Sequence, residues 1–173
     1  IGFDDFKLEL SPNPCSTPTA QPTSLVLSGE TTTSVNGSFT VASPAPSGYL
    51  VFRSTSSTAP TPVDGTSYTA GSAYTLGGIS YTAVATSGSG PITFSATGLT
   101  ANTTYYFYVF SLNNASCSGG PKYLATSPLT GNTNTCPAAP TALAVTGGTI
   151  TSGGATITWT APSGGAVSMT YTV

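Results

Sequence analysis

The chain has 173 residues, enough for one full domain or one and a part; only eight residues are charged, three Lys or Arg and five Asp or Glu, for a net charge of −2. Lys7, Arg53 and Lys122 stand far apart, which excludes the clustered basic surface that nucleic acid requires, and no run of 18 apolar residues is present to span a membrane. Ser and Thr make up roughly a third of the chain beside 20 Gly and 14 Pro, so helix formers are scarce and the residues predict an all-β protein of short strands punctuated by turns.

At the N-terminus, IGFDDFKLEL carries no signal-peptide pattern, as expected of a mature secreted chain. Asp4, Phe6, Leu8 and Leu10 alternate with Phe3, Asp5, Lys7 and Glu9, so Phe6, Leu8 and Leu10 make one apolar edge of a strand. Residues 1–14 read as a strand without its domain: the last strand of a preceding domain, a donor strand that completes an adjacent subunit, or a frayed arm. Further on, PTSLVLSG (22–29) recurs as PTALAVTG (140–147), and the same offset of 118 carries Phe39 to Ile157, Val41 to Trp159 and Pro44 to Pro162. One offset held across two strands is an internal repeat. Each copy follows a Cys and a Pro-rich stretch, from Cys15 and from Cys136. Between the copies, GLTANTTYYFYVFSLN (98–113) contains a strand that is apolar on both faces, with Tyr105, Phe107 and Val109 on one and Tyr106, Tyr108 and Phe110 on the other. A strand with one wet side alternates apolar with polar, so something must cover the second face.

These segments resemble the fibronectin type III family. TITWTAP (156–162) is similar to its strand B with the Trp and following Pro, and Leu99, six residues before Tyr105, is similar to its tyrosine corner. The run from VDGTSYTAG to GLTANTTYYFYVFSLN resembles modules in secreted proteins of Bacteroidetes bacteria, and FDDFKLEL resembles the closing strand of jelly-roll domains that precede such modules. The resemblance implies an Ig-like β-sandwich: one complete module over 15–135, an incomplete second module over 136–173 and a lone N-terminal strand. Laid on that fold, strand A falls at Thr23–Ser28, B at Ser38–Ala42, C at Tyr49–Ser54, C′ at Ile79–Thr86, E at Ile92–Ala96, F at Thr104–Leu112 and G at Tyr123–Pro128, with Val63–Tyr74 a long loop. The second copy holds strands A and B and a strand C in Ser168–Val173. Three strands in about 37 residues bury too little surface to fold alone. Either the sequence is a window on a longer chain, or neighbouring chains complete the second module.

The resemblance also orders the cysteines. It puts Cys15 and the F–G loop with Cys117 at one end of the sandwich, which implies a Cys15–Cys117 disulfide and leaves Cys136 for a partner outside the module. Cys117–Cys136 is the competing pair, with its members at opposite ends of strand G. Sequons at Asn36, Asn102 and Asn114, low charge and dense Thr and Ser agree with an extracellular, cell-surface glycoprotein.

Groups for chemistry are sparse. There is no His, and the acids are Asp4, Asp5, Glu9, Glu30 and Asp64, the last in a VDGT turn. Three scattered Cys without His do not suit a metal, and no Gly-rich phosphate motif opens a helix. The chain reads as non-enzymatic and without a cofactor. If Leu50 and Phe52 point inward, Tyr49, Val51 and Arg53 join Tyr106, Tyr108 and Phe110 on an outer apolar face, which is expected to meet another copy or module unless the Val63–Tyr74 loop folds over it. The expected function is a structural subunit or segment of an extracellular bacterial fibre or adhesin, with copies of itself or adjacent modules as partners, joined in tandem or by strand complementation through Phe6, Leu8 and Leu10. The alternative is an accessory or carbohydrate-binding spacer module of a large secreted hydrolase, with the aromatics stacked on sugar rings.

Overall fold

The computed structural model describes residues 12–88, 92–151 and 154–162. The N-terminal strand with Phe6, Leu8 and Leu10, and strand C of the second copy, lie outside the described residues. All the regular structure described is β. Strands β1 (Thr23–Ser28), β2 (Ser34–Thr40) and β6 (Ile92–Thr97) form an antiparallel sheet in the order β1-β2-β6. The second sheet runs β4 (Ala73–Leu76), β5 (Ile79–Ser87), β3 (Gly48–Ser54), β7 (Thr104–Asn113), and both β8 (Lys122–Tyr123) and β9 (Leu129–Asn134) pair with β7. This is A-B-E facing C′-C-F-G, the order of a fibronectin type III-like sandwich. Strands β10 (Thr141–Thr151) and β11 (Gly154–Thr160) form a separate antiparallel pair where the repeat predicts a second A and B.

Two expected strands sit elsewhere. Strand B begins at Ser34 rather than Ser38, because Ser34 to Phe39 pair without interruption with Thr97 to Ile92 and bury Val35 completely. Strand G is not Tyr123–Pro128. Ser127 has a φ of 48° and Pro128 has no N–H to give a ladder, so pairing stops after Tyr123 and resumes as β9 from Leu129 to Asn134.

Between the sheets, Val35, Phe39, Ile92, Phe94 and Leu99 pack against Tyr49, Val51, Tyr105, Phe107 and Val109. The alternation of β2 and β6 follows from this burial, since Val35, Gly37 and Phe39 are buried and Asn36 and Thr40 are exposed. Gly37 is required by its neighbour: a methyl group there would fall into the ring of Phe94 across the strand. Tyr105 anchors the corner before β7, its hydroxyl accepting the Thr100 N–H at 3.1 Å above buried Leu99.

Candidate functional site

The second aromatic face is covered by the chain itself. Leu50, Phe52, Tyr108, Phe110 and Leu112 from β3 and β7 form a second core with Tyr68, Tyr81 and Tyr123. The lid is residues 55–72, between β3 and β4, together with the β4–β5 hairpin, and five tyrosine hydroxyls tie the lid's backbone down. Tyr108 donates to Ser56 O at 2.7 Å, Tyr81 to Thr58 O at 2.8 Å and Tyr123 to Thr66 O at 2.9 Å. Tyr68 accepts from Val63 N–H at 2.9 Å and Tyr74 from Thr69 N–H at 2.8 Å. Each ring fills the core while its polar end satisfies a loop peptide group, which is how so long an irregular segment stays packed.

This corrects the expected outer face. Tyr108 and Phe110 are buried beneath the lid, and Tyr49 and Val51 face the other way, into the core between the sheets. Cross-strand register decides the matter: Leu50 is opposite Phe110 and Phe52 opposite Tyr108, so they share a face, while Val51 is opposite Val109. Arg53, opposite Phe107, lies on the inter-sheet side with its guanidinium 5.5 Å from the Tyr105 ring centroid. Only Tyr106, half-buried, packs at the margin of the second core as an outward residue.

Burial pushes the Tyr108 phenol up to about 12, with Tyr81 and Tyr106 nearby adding to it. An unfolded tyrosine ionises near 10, so this group's contribution is complete below that pH and is lost as pH rises from about 10 towards 12. Tyr108→Phe is therefore expected to flatten the alkaline fall in melting temperature while costing about 1 kcal/mol near neutrality for the lost bond to Ser56. Melting curves across alkaline pH check this; an unchanged alkaline slope would contradict it.

Asp64 latches the lid to β8. Its carboxylate accepts the Tyr123 N–H at 2.9 Å and Lys122 Nζ at 3.1 Å, and the Gly65 N–H donates to Pro121 O at 2.8 Å. The Tyr123 N–H, opposed in part by burial and aided by Lys122, holds the Asp64 carboxyl below its ordinary value. A depressed carboxyl stabilises the fold above its unfolded value of 3.8, and that contribution disappears as pH falls through the lower folded value. Asp64→Ala is expected to lower stability by about 1 kcal/mol at neutral pH, the group being partly exposed, and the gap from the parent should narrow below about pH 3. Denaturant midpoints at the two pH values test it.

The two ends of the sandwich are pinned separately. At one end Cys15 and Cys117 are disulfide-bonded, with Cα atoms 4.8 Å apart. The Cys15 N–H donates to Ser118 O and the Ser118 N–H to Asn13 O, both at 2.8 Å. Gln21 extends this seam, taking the Ser111 N–H and donating to Leu124 O. At the other end Thr135, buried, donates through Oγ1 to Thr100 O at 2.6 Å and receives the Thr103 N–H. The Cys136 N–H donates to Thr31 O at 3.0 Å; its thiol is free, exposed and 3.1 Å from Glu30 O. Cys117 and Cys136 thus occupy opposite ends of the module.

Of the sequon residues, Asn36 is exposed on the open face of β2 and Asn114 is exposed in the loop after β7. Asn102 is half-buried with a φ of 50°, its N–H donating to Cys136 O. Among the described residues no group of three His, Cys, Asp or Glu gathers to hold a metal. The tyrosine ties escaped the sequence reading, although a signal was present. Tyr68 and Tyr74 each bond the N–H five residues earlier, the same spacing as Tyr105 to Thr100 in the corner.

No protein-family model matches the chain, and no curated protein is similar to it. Solved structures do match; one is a fibronectin type III domain of human collagen XX, 22% identical, with a TM-score of 0.43, covering 72% of this chain and 100% of that domain. The assignment to a fibronectin type III-like sandwich rests on the strand order itself.

Proposed function

We propose that this chain is a non-catalytic structural segment of an extracellular bacterial fibre or adhesin built from fibronectin type III-like modules. The observation that carries the reading is the path of the chain. It arrives at the Cys15–Cys117 end, leaves at the Thr135–Cys136 end, and resumes at once with a repeat of the same first strands. Rigidly fixed opposite ends are what an end-to-end array requires. The disulfide agrees with an oxidising, extracellular location.

The carbohydrate-binding alternative loses support from the same geometry, because the aromatic face that would stack on sugars holds the protein's own lid. Electron microscopy of the native protein, with the intact mass measured alongside, tests the proposal. Ordered fibres are expected. Monodisperse particles retained on a polysaccharide column would instead favour the accessory module.

A further inference from the structure

Four charged residues fall within the described chain: Glu30, Arg53, Asp64 and Lys122. Asp64 pairs with Lys122, and the Glu30 carboxylate accepts Thr133 Oγ1 at 2.9 Å. Arg53 is half-buried and has no carboxylate within ion-pair distance among the described residues. Its Nη2 donates to Thr97 O at 3.2 Å, and its guanidinium lies 5.5 Å from the Tyr105 ring centroid. A carbonyl of β6 and a ring of β7 thus hold the cation in place, and most of the five N–H donors of a guanidinium are left for another acceptor.

That cation lines a cavity of about 400 Å³ at the mouth between the sheets, where β5 of one sheet meets β6 of the other without a ladder. The volume falls within the range of about 300–1,000 Å³ usual for small-molecule sites. Thr82 stands opposite Arg53 on β5, so the two side chains share the inter-sheet side, while Val84 and Ala96 form the apolar rim of the core there. Ser95 and Thr97 complete the β6 side of the lining. Walls of low polarity focus the field of the cation into the mouth. A guanidinium fork takes a carboxylate through two parallel bonds, hydroxyl-bearing residues suit the hydroxyls of a ring, and small apolar residues suit its C–H faces. Both acids of the described chain are already engaged, which points to a ligand from outside it. We propose that this mouth binds a uronic acid unit of a polysaccharide, with the carboxylate on Arg53 and a ring hydroxyl on Thr82. The site is separate from the aromatic face beneath the lid; it rests on the adhesin reading and gives that adhesin its class of ligand.

The test uses the full chain and saturation-transfer NMR of the ligand, which reads binding to a monomer and to a polymer alike. Glucuronate is expected to bind saturably at millimolar concentrations, with glucose, which lacks the carboxylate, and acetate, which lacks the ring, each at least about tenfold weaker. Arg53→Gln should weaken glucuronate about tenfold or more and Arg53→Lys should restore part of the loss, since it returns the charge without the fork. Thr82→Val keeps the cation and should weaken glucuronate about fivefold while leaving acetate unchanged. Melting temperatures check the fold, and Thr82→Val decides the matter if Arg53→Gln proves unfolded. Glucuronate that does not saturate, or that binds Arg53→Gln and Thr82→Val as it binds the parent, overturns the site. Acetate or sulfate bound as tightly as glucuronate shows a plain anion contact and overturns the sugar assignment. Ordered fibres that bind no glucuronate strike the site and leave the fibre reading in place, whereas binding by monodisperse particles keeps the site and strikes the fibre.

Discussion

Replacing Phe52 with Ala is expected to destabilise the sandwich by about 3–5 kcal/mol, read as a fall in the denaturant midpoint at unchanged slope. Phe52 is fully buried and central to the second core, with ring centroids of Tyr68 at 5.0 Å, Tyr81 at 6.1 Å, Tyr74 at 6.3 Å and Phe110 at 6.5 Å. Truncation leaves a cavity that the three tyrosine rings cannot collapse into, because the hydroxyls of Tyr68, Tyr74 and Tyr81 are bonded to separate points of the lid. Local opening should follow, so limited proteolysis should cut within residues 55–72 well before the rest of the module. Val63→Ala in the same segment is a matched control, as its side chain is largely exposed and should matter by no more than about 0.5 kcal/mol. A Phe52→Ala chain within about 1 kcal/mol of the parent would mean that the lid is not part of the fold's cooperative core.

Loss of the Cys15–Cys117 bond should cost about 2–5 kcal/mol. The bridge closes a sequence separation of 102, and a loop of that size restricts the unfolded chain strongly in the entropy account. Cys117→Ser and chemical reduction of the parent should lower the denaturant midpoint by the same amount. Cys136→Ser, at a free exposed thiol, should leave the midpoint within about 0.5 kcal/mol of the parent. Equal losses from Cys136→Ser and Cys117→Ser would overturn the pairing.

How much of this was legible in the sequence depended on whether the signal was local. Strand β1 lies where the alternation of SLVLS puts it, and the corner at Leu99 and Tyr105 was legible through the resemblance to the fibronectin type III tyrosine corner. Strand β9 was not, because LTGNTN is polar and Gly-containing; it is a strand because β7 offers it a ladder and because Leu25 of β1 packs onto Gly131. The facing of β3 was equally hidden. Tyr49 to Phe52 are four apolar residues in a row, without a phase of their own, and only their register against β7 says which two go to which core.

The position of the disulfide also fixes how far the module can be pulled out. Tension arriving at Cys15 and leaving at Cys136 passes straight through the sulfurs to Cys117, so everything from Ser16 to Ser116 is a covalently closed loop that carries no load. Only the 18 residues between Cys117 and Cys136, essentially β8 and β9, can be drawn straight, to roughly 65 Å. In the reduced chain the stretch between Cys15 and Cys136 is 120 residues and roughly 400 Å. An oxidised thread of such modules would give only a short, capped extension at each module, while a reducing environment would turn it into a long elastic tether.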